Sequence, residues 1–74
     1  MTYTIIYEKI NDPSFPPEYF YAHIPSLGLT THGDGIERAK KAAEDLIKLW
    51  IEEKLFNGEE VKEEAETYYS KIVV

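Results

Sequence analysis

Residues 28–47 read GLTTHGDGIERAKKAAEDLI, and this stretch joins a short strand to a long helix. Gly33-Asp34-Gly35 interrupts the strand, Asp34 suits a helix N-cap, and Glu37 follows at the capping-box spacing. Asn57-Gly58 is a typical helix stop, so the pattern predicts one helix over residues 35–56. Apolar residues recur within it at intervals of three and four, which predicts one buried face: Ile36, Ala39, Ala43, Leu46, Ile47 and Trp50.

Three strands are predicted before this helix. Residues 3–10, 18–24 and 29–32 are rich in β-branched and aromatic residues, which favour strands. Residues 11–17 contain three prolines and an Asn-Asp pair, and such a segment forms a connection rather than a ladder. Short links between consecutive strands indicate an antiparallel meander.

An acidic linker and a fourth strand are predicted after the helix. Residues 59–66 carry one lysine and five glutamates, a local charge of 1 − 5 = −4, and the linker over 57–66 is compatible with a short helix or a loop. Residues 67–74 read TYYSKIVV, which predicts a strand. The expected architecture is therefore one α+β domain over residues 1–74, in the order β-β-β-α-β.

The two faces of the predicted sheet differ in their expected partners. One face of the second strand should pack on the helix and complete the core, through Phe20, Ala22 and Ile24. The other face should contact another subunit or a protein partner, because exposed aromatic patches usually mark contacts. We predict a homodimer or higher oligomer on this basis, although tyrosines also occupy half-exposed strands without any function. The interface residues predicted are Tyr3, Ile5, Tyr7, Tyr19, Tyr21 and His23.

Composition and charge restrict the class of partner. The 74 residues include 14 acidic and 8 basic side chains, a net charge of −6, which disfavours nucleic acid and favours a basic protein. The chain has no cysteine and no apolar run of about 20 residues, the length that a membrane span requires. No signal-peptide pattern opens the sequence, so a cytoplasmic location is expected.

No catalytic, metal-binding or cofactor-binding residues are predicted. Gly33-Asp34-Gly35 lacks the following glycine and lysine of a phosphate-binding loop. His23 and His32 are the only histidines, and no nucleophile–base set is evident around them. The expected protein is therefore not an enzyme. A small ligand-binding protein or enzyme that uses the His23/His32 region is the alternative.

The segment quoted at the start resembles a signature of the HicB antitoxin family, with Gly35 where the family usually has threonine. The resemblance implies a truncated ribonuclease-H-like fold without the metal-binding carboxylates of ribonuclease H. It also implies that the chain binds and neutralises HicA, a small basic mRNA-cleaving toxin, and no DNA binding is expected. An orphan homo-oligomeric domain without a toxin would have the same sequence features. The positions in step with the signature are Gly28, Thr31, Gly33, Asp34, Ile36, Glu37, Ala39 and Ala43.

Overall fold

The computed structural model describes residues 1–74 and contains three antiparallel strands followed by one long helix. The strands are β1 (Ile6–Lys9), β2 (Tyr19–Ile24) and β3 (Leu29–Asp34), in the sheet order β1-β2-β3. The helix α1 spans Gly35–Phe56. This confirms the predicted α+β class, the meander and the helix. No helix of the protein is long and apolar enough to cross a lipid bilayer.

The core lies between β2 and α1 and is built from small side chains. Ala22 and Ile24 of β2 are fully buried against Ala39 and Ala43 of α1. Alanine at both helix positions leaves room for the helix axis to come close to the sheet. Partly buried residues surround this cluster, and three of the predicted core residues belong to them: Phe20, Leu46 and Ile47.

Gly33 marks the closest approach of α1 to the sheet. A Cβ atom at this position would lie 2.5 Å from the backbone nitrogen of Ala39 and 2.7 Å from the carbonyl carbon of Arg38. Gly33 pairs with Phe20 across the β2–β3 ladder, on the face that α1 covers. A glycine is therefore needed here for space, because the first turns of the helix rest on this strand.

The helix begins at the predicted residue but without the predicted side-chain cap. Asp34 occupies the N-cap position in an extended conformation, and its carboxylate makes no capping hydrogen bond. Gly35 follows with a φ of +79°, and its N–H donates to the carbonyl oxygen of Glu18 at 2.7 Å. The left-handed turn at Gly35 thus ties the start of α1 to the start of β2, and the capping box with Glu37 is not formed.

Two predicted core residues lie outside the core. Ile36 is 47% exposed, because the helix start at Asp34-Gly35 turns this position away from the sheet. Trp50 is half-buried and lies outside the central cluster, towards the later part of α1. The Lys54 ammonium lies 5.5 Å from the centre of its ring, an arrangement typical of a cation–π contact.

After α1 the acidic segment is irregular, one of the two predicted alternatives, whereas the predicted fourth strand is absent. Residues 59–66 form an irregular segment without helix, and no strand forms over residues 67–74. Side chains hold the irregular segment to the start of the chain: the Tyr3 hydroxyl donates to the carbonyl oxygen of Lys62 at 3.1 Å, and Thr4 bonds Glu64. Residues 67–74 make no backbone hydrogen bond with the sheet, so they do not form the predicted fourth strand.

Candidate functional site

The face of the sheet opposite α1, called the open face below, is the main candidate. The pairings Ile6–His23, Glu8–Tyr21 and Tyr21–His32 place these side chains together on that side. The aromatic rings of Tyr19 and Tyr21 are half-buried although no helix covers them. The open face is formed by Ile6, Glu8, Tyr19, Tyr21, His23, Thr30, His32 and Asp34.

A hydrogen-bonded chain crosses all three strands on the open face. The Glu8 Oε1 atom lies 2.9 Å from His23 Nε2, and His23 Nδ1 lies 3.0 Å from the Thr30 hydroxyl. The three residues sit opposite or diagonal to one another in the ladder. Both ring nitrogens of His23 are thereby engaged, which fixes the ring plane relative to the sheet.

An aromatic cluster covers one end of the open face. The loop between β1 and β2 turns back on itself through Asp12, whose carboxylate accepts from the Ser14 N–H at 2.9 Å and from the Ser14 hydroxyl. The same two bonds, the backbone one first, lower the pKa of Asp12. This turn brings the ring of Phe15 to 5.8 Å from Tyr19 and 5.7 Å from His32, measured between centroids.

Three of the predicted interface residues lie on the other side of the sheet. Tyr7 pairs with Ala22, so Tyr3, Ile5 and Tyr7 pack against the central cluster beneath α1. Burial raises the pKa of the Tyr7 hydroxyl, and the carboxylates of α1 add to this effect. The register of β1 separates these three residues from the other predicted interface residues, and their assignment to a partner interface stays a prediction. The remaining three predicted residues, Tyr19, Tyr21 and His23, are together on the open face.

Sequence reasoning missed Glu8 and Thr30 as members of the open face, and Phe15 as the residue that covers one end of it. The charge of Glu8 could have identified this face from the sequence. Glu8 shares a face of β1 with Ile6, and a charged residue in the alternation of a strand marks its solvent side. Phe15 lies in a proline-rich loop whose path is set by the Asp12 turn, and no strand periodicity extends into such a loop.

A second site joins the acidic segment to the sheet. The Glu64 carboxylate accepts from the Thr4 N–H at 2.8 Å, from the Thr4 hydroxyl at 2.7 Å and from the Ser26 hydroxyl. These bonds, the one from Ser26 first, lower the pKa of Glu64. A cleft of about 410 Å³ lies beside this contact, bounded by Tyr3 and Trp50.

The structure brings together no group of three or more His, Asp or Glu side chains that could hold a metal ion. Comparison of the chain with models of known protein families, with curated proteins and with solved structures finds no match.

Proposed function

We propose that this chain is a non-catalytic protein-binding domain of the HicB type. In this proposal its open face receives a small, basic, HicA-like mRNA-cleaving toxin and neutralises it. The fold is then a truncated ribonuclease-H-like domain, in which residues 67–74, irregular in the single chain, become a strand when they pair with a sheet edge. The location is the cytoplasm, where a toxin that cleaves mRNA acts.

The observation that carries the proposal is the aromatic content of the open face. An antiparallel sheet with a helix on one side normally presents polar residues to water on the other. Here Phe15 and Tyr19 are half-buried against each other beside His32, and Tyr21 is half-buried beside His23. Aromatic residues are enriched in protein interfaces, so this surface has the composition of a contact site.

Charge favours a basic partner over a second copy of the chain on this face. The chain has a net charge of −6, and the open face itself contains Glu8 and Asp34. Two copies would bring these like charges together, whereas a basic protein would be attracted during encounter. The same charge disfavours a nucleic-acid phosphate backbone as the ligand.

Co-purification with the basic protein encoded beside this chain tests the proposal. Tyr21→Ala removes a ring from the middle of the open face, whereas Leu49→Ala removes a side chain that is 60% exposed on α1. An aromatic residue at the centre of an interface contributes about 2 kcal/mol or more, a loss of roughly 30-fold in affinity. We expect that loss for Tyr21→Ala alone, with circular dichroism unchanged in both variants.

Two outcomes would contradict the proposal. One is the absence of binding to any basic neighbour, which would favour the orphan homo-oligomeric domain. The other is equal affinity of the Tyr21→Ala and Leu49→Ala variants, which would place the contact elsewhere.

The Glu8–His23–Thr30 chain favours a second candidate function. A carboxylate, a histidine and a hydroxyl in this order can activate the hydroxyl as a nucleophile. The three cavities of the structure, however, lie along α1 and the acidic segment. A fluorophosphonate probe distinguishes the two functions: hydrolytic chemistry requires labelling of Thr30 that is lost in His23→Ala, and the binding function predicts no labelling of either protein.

A further inference from the structure

The segment from Thr67 to Val74, called the tail below, is apolar and exposed. Tyr68 is 81% exposed, Ile72 is 82% exposed and Val73 is 98% exposed. The side-chain hydrogen bonds at its start are local, from Thr67 to the carbonyl oxygen of Ala65 and from Tyr68 to Glu66. The tail therefore leaves a large apolar surface in water, which costs free energy that a partner surface could recover.

The tail has the composition of a strand and contains no acidic residue. Its sequence, TYYSKIVV, consists mainly of aromatic and β-branched residues and contains one lysine and no acid. The preceding residues 59–66 carry a charge of −4. In a chain with a net charge of −6, two copies can approach with little repulsion through such a segment.

The sheet offers an unpaired edge near the origin of the tail. β1 pairs only with β2, so its outer backbone groups are free to pair. Glu64 is tied to Thr4, two residues before β1, through both the N–H and the hydroxyl. The tail therefore starts at the corner where β1 begins, but a side chain rather than a backbone carbonyl occupies the Thr4 N–H of its own chain.

We propose that two copies of the chain exchange tails, each tail pairing as an added strand with the outer edge of β1 in the other copy. Addition of a strand to a free edge satisfies backbone groups and buries alternate side chains. Exchange of an identical element between two copies is a common route to a symmetric dimer. The occupant of the β1 edge is thus a second copy, anchored by its own Glu64 contact.

This dimer does not depend on the proposed function. It uses the edge of the sheet and the tail, whereas the toxin contact uses the open face. One dimer can accordingly present two open faces. Failure of either contact leaves the other intact, and the tail variants chosen below do not touch the open face.

Light scattering of the full-length protein at about 50 μM tests whether the tail makes the dimer, since contacts of this kind are concentration-dependent. We expect twice the 8.6 kDa mass of one chain for the native sequence. Val73→Pro removes a backbone donor and Ile72→Lys removes an apolar side chain, and both should give the single-chain mass. Phe56→Lys, at a position that is 90% exposed at the end of α1, is the matched control and should stay dimeric.

Cysteine pairing tests where the tail lies, and the chain contains no cysteine that would interfere. One protein carries Lys9→Cys in β1, and a second carries a cysteine at position 70, 71 or 72. After mixing and oxidation we expect a heterodimer for at least one tail position, because a disulfide forms only when the Cα atoms lie within about 7 Å.

Three results would overturn the exchange. The first is a single-chain mass for the native sequence. The second is a dimer that persists in Val73→Pro but is lost in Tyr21→Ala, which would assign the self-contact to the open face. The third is the absence of a cross-linked heterodimer between the Lys9→Cys protein and every one of the three tail variants.

Discussion

Gly33→Ala is the most informative change for the packing of the helix on the sheet. The added Cβ would lie 2.5 Å, 2.7 Å and 2.8 Å from three backbone atoms of Arg38 and Ala39. Because these atoms belong to the helix backbone, no side chain can rotate away, and α1 must shift as a whole. Overpacking of this kind costs about 1–3 kcal/mol, and we expect about 3 kcal/mol here. A chain of 74 residues has a total stability of roughly 4–11 kcal/mol.

The matched control for this change is Gly28→Ala. Gly28 has a φ of +64°, and a Cβ there would have no atom within 4 Å. Its cost is therefore the backbone strain of a left-handed alanine alone, about 1 kcal/mol. Urea unfolding followed by the fluorescence of Trp50 measures both variants, since Trp50 is the only tryptophan. If the Gly33→Ala variant is as stable as the native protein, or more stable than the Gly28→Ala variant, the close approach of α1 to β3 is refuted.

Three further predictions follow from the core, the acidic segment and the open face. Ala43→Leu should destabilise the protein by about 1–3 kcal/mol in urea unfolding, and Ala42→Leu by clearly less, because Ala43 is fully buried and Ala42 only partly. The folded-state pKa of Glu64 is lowered from 4.5, so its contribution is complete at neutral pH and is lost as the pH falls below about 4.5. The difference in melting temperature between the native protein and Glu64→Gln should therefore shrink from pH 7 to pH 3, and a difference independent of pH would contradict this. Phe15→Ala should cost about 1 kcal/mol, the contribution of an aromatic pair, and should change the ring signals of Tyr19 and His32 in NMR spectra; unchanged signals would show that the loop does not cover them.

The helix could be predicted from the sequence because its signals are local. The apolar spacing from Ala39 to Ile47 lies within the helix, the stop at Asn57-Gly58 follows it directly, and α1 spans the predicted residues. The role of Gly33 was not evident, because it depends on a contact between β3 and α1. Ile36 fits the helical period but is exposed, since the left-handed turn at Gly35 sets how the first helical turn meets the sheet.

For the strands, the local sequence pattern alone does not determine which face packs on the helix. Tyr7 and Ile6 are both apolar, so alternation in β1 left its two faces ambiguous, and only the pairing of Tyr7 with Ala22 resolves them. In β2 the alternation was clear, and Ala22 and Ile24 are buried as predicted. The tail has the composition of a strand, but composition does not specify which edge it pairs with or in which chain.

The predicted residues that lie on the open face all come from β2. There Tyr19, Tyr21 and His23 alternate with core residues. The remaining residues of the candidate site are distant from β2 in sequence. Glu8 and Thr30 reach His23 from the neighbouring strands, and such contacts depend on the register of the sheet. Phe15 depends on a side-chain-stabilised turn in a loop. Long-range pairing and loop geometry are therefore what the sequence left undetermined.

NMR titration of the labelled protein with the basic protein encoded beside it tests the central claim most directly, namely that the open face binds a protein partner. The side-chain signals of Tyr21 and His23 report on the open face, and those of Leu49 report on the exposed side of α1. We predict the largest shifts at Tyr21 and His23, with those of Leu49 unchanged. Shifts confined to Leu49 and its neighbours on α1, or no shifts at all, would contradict the account.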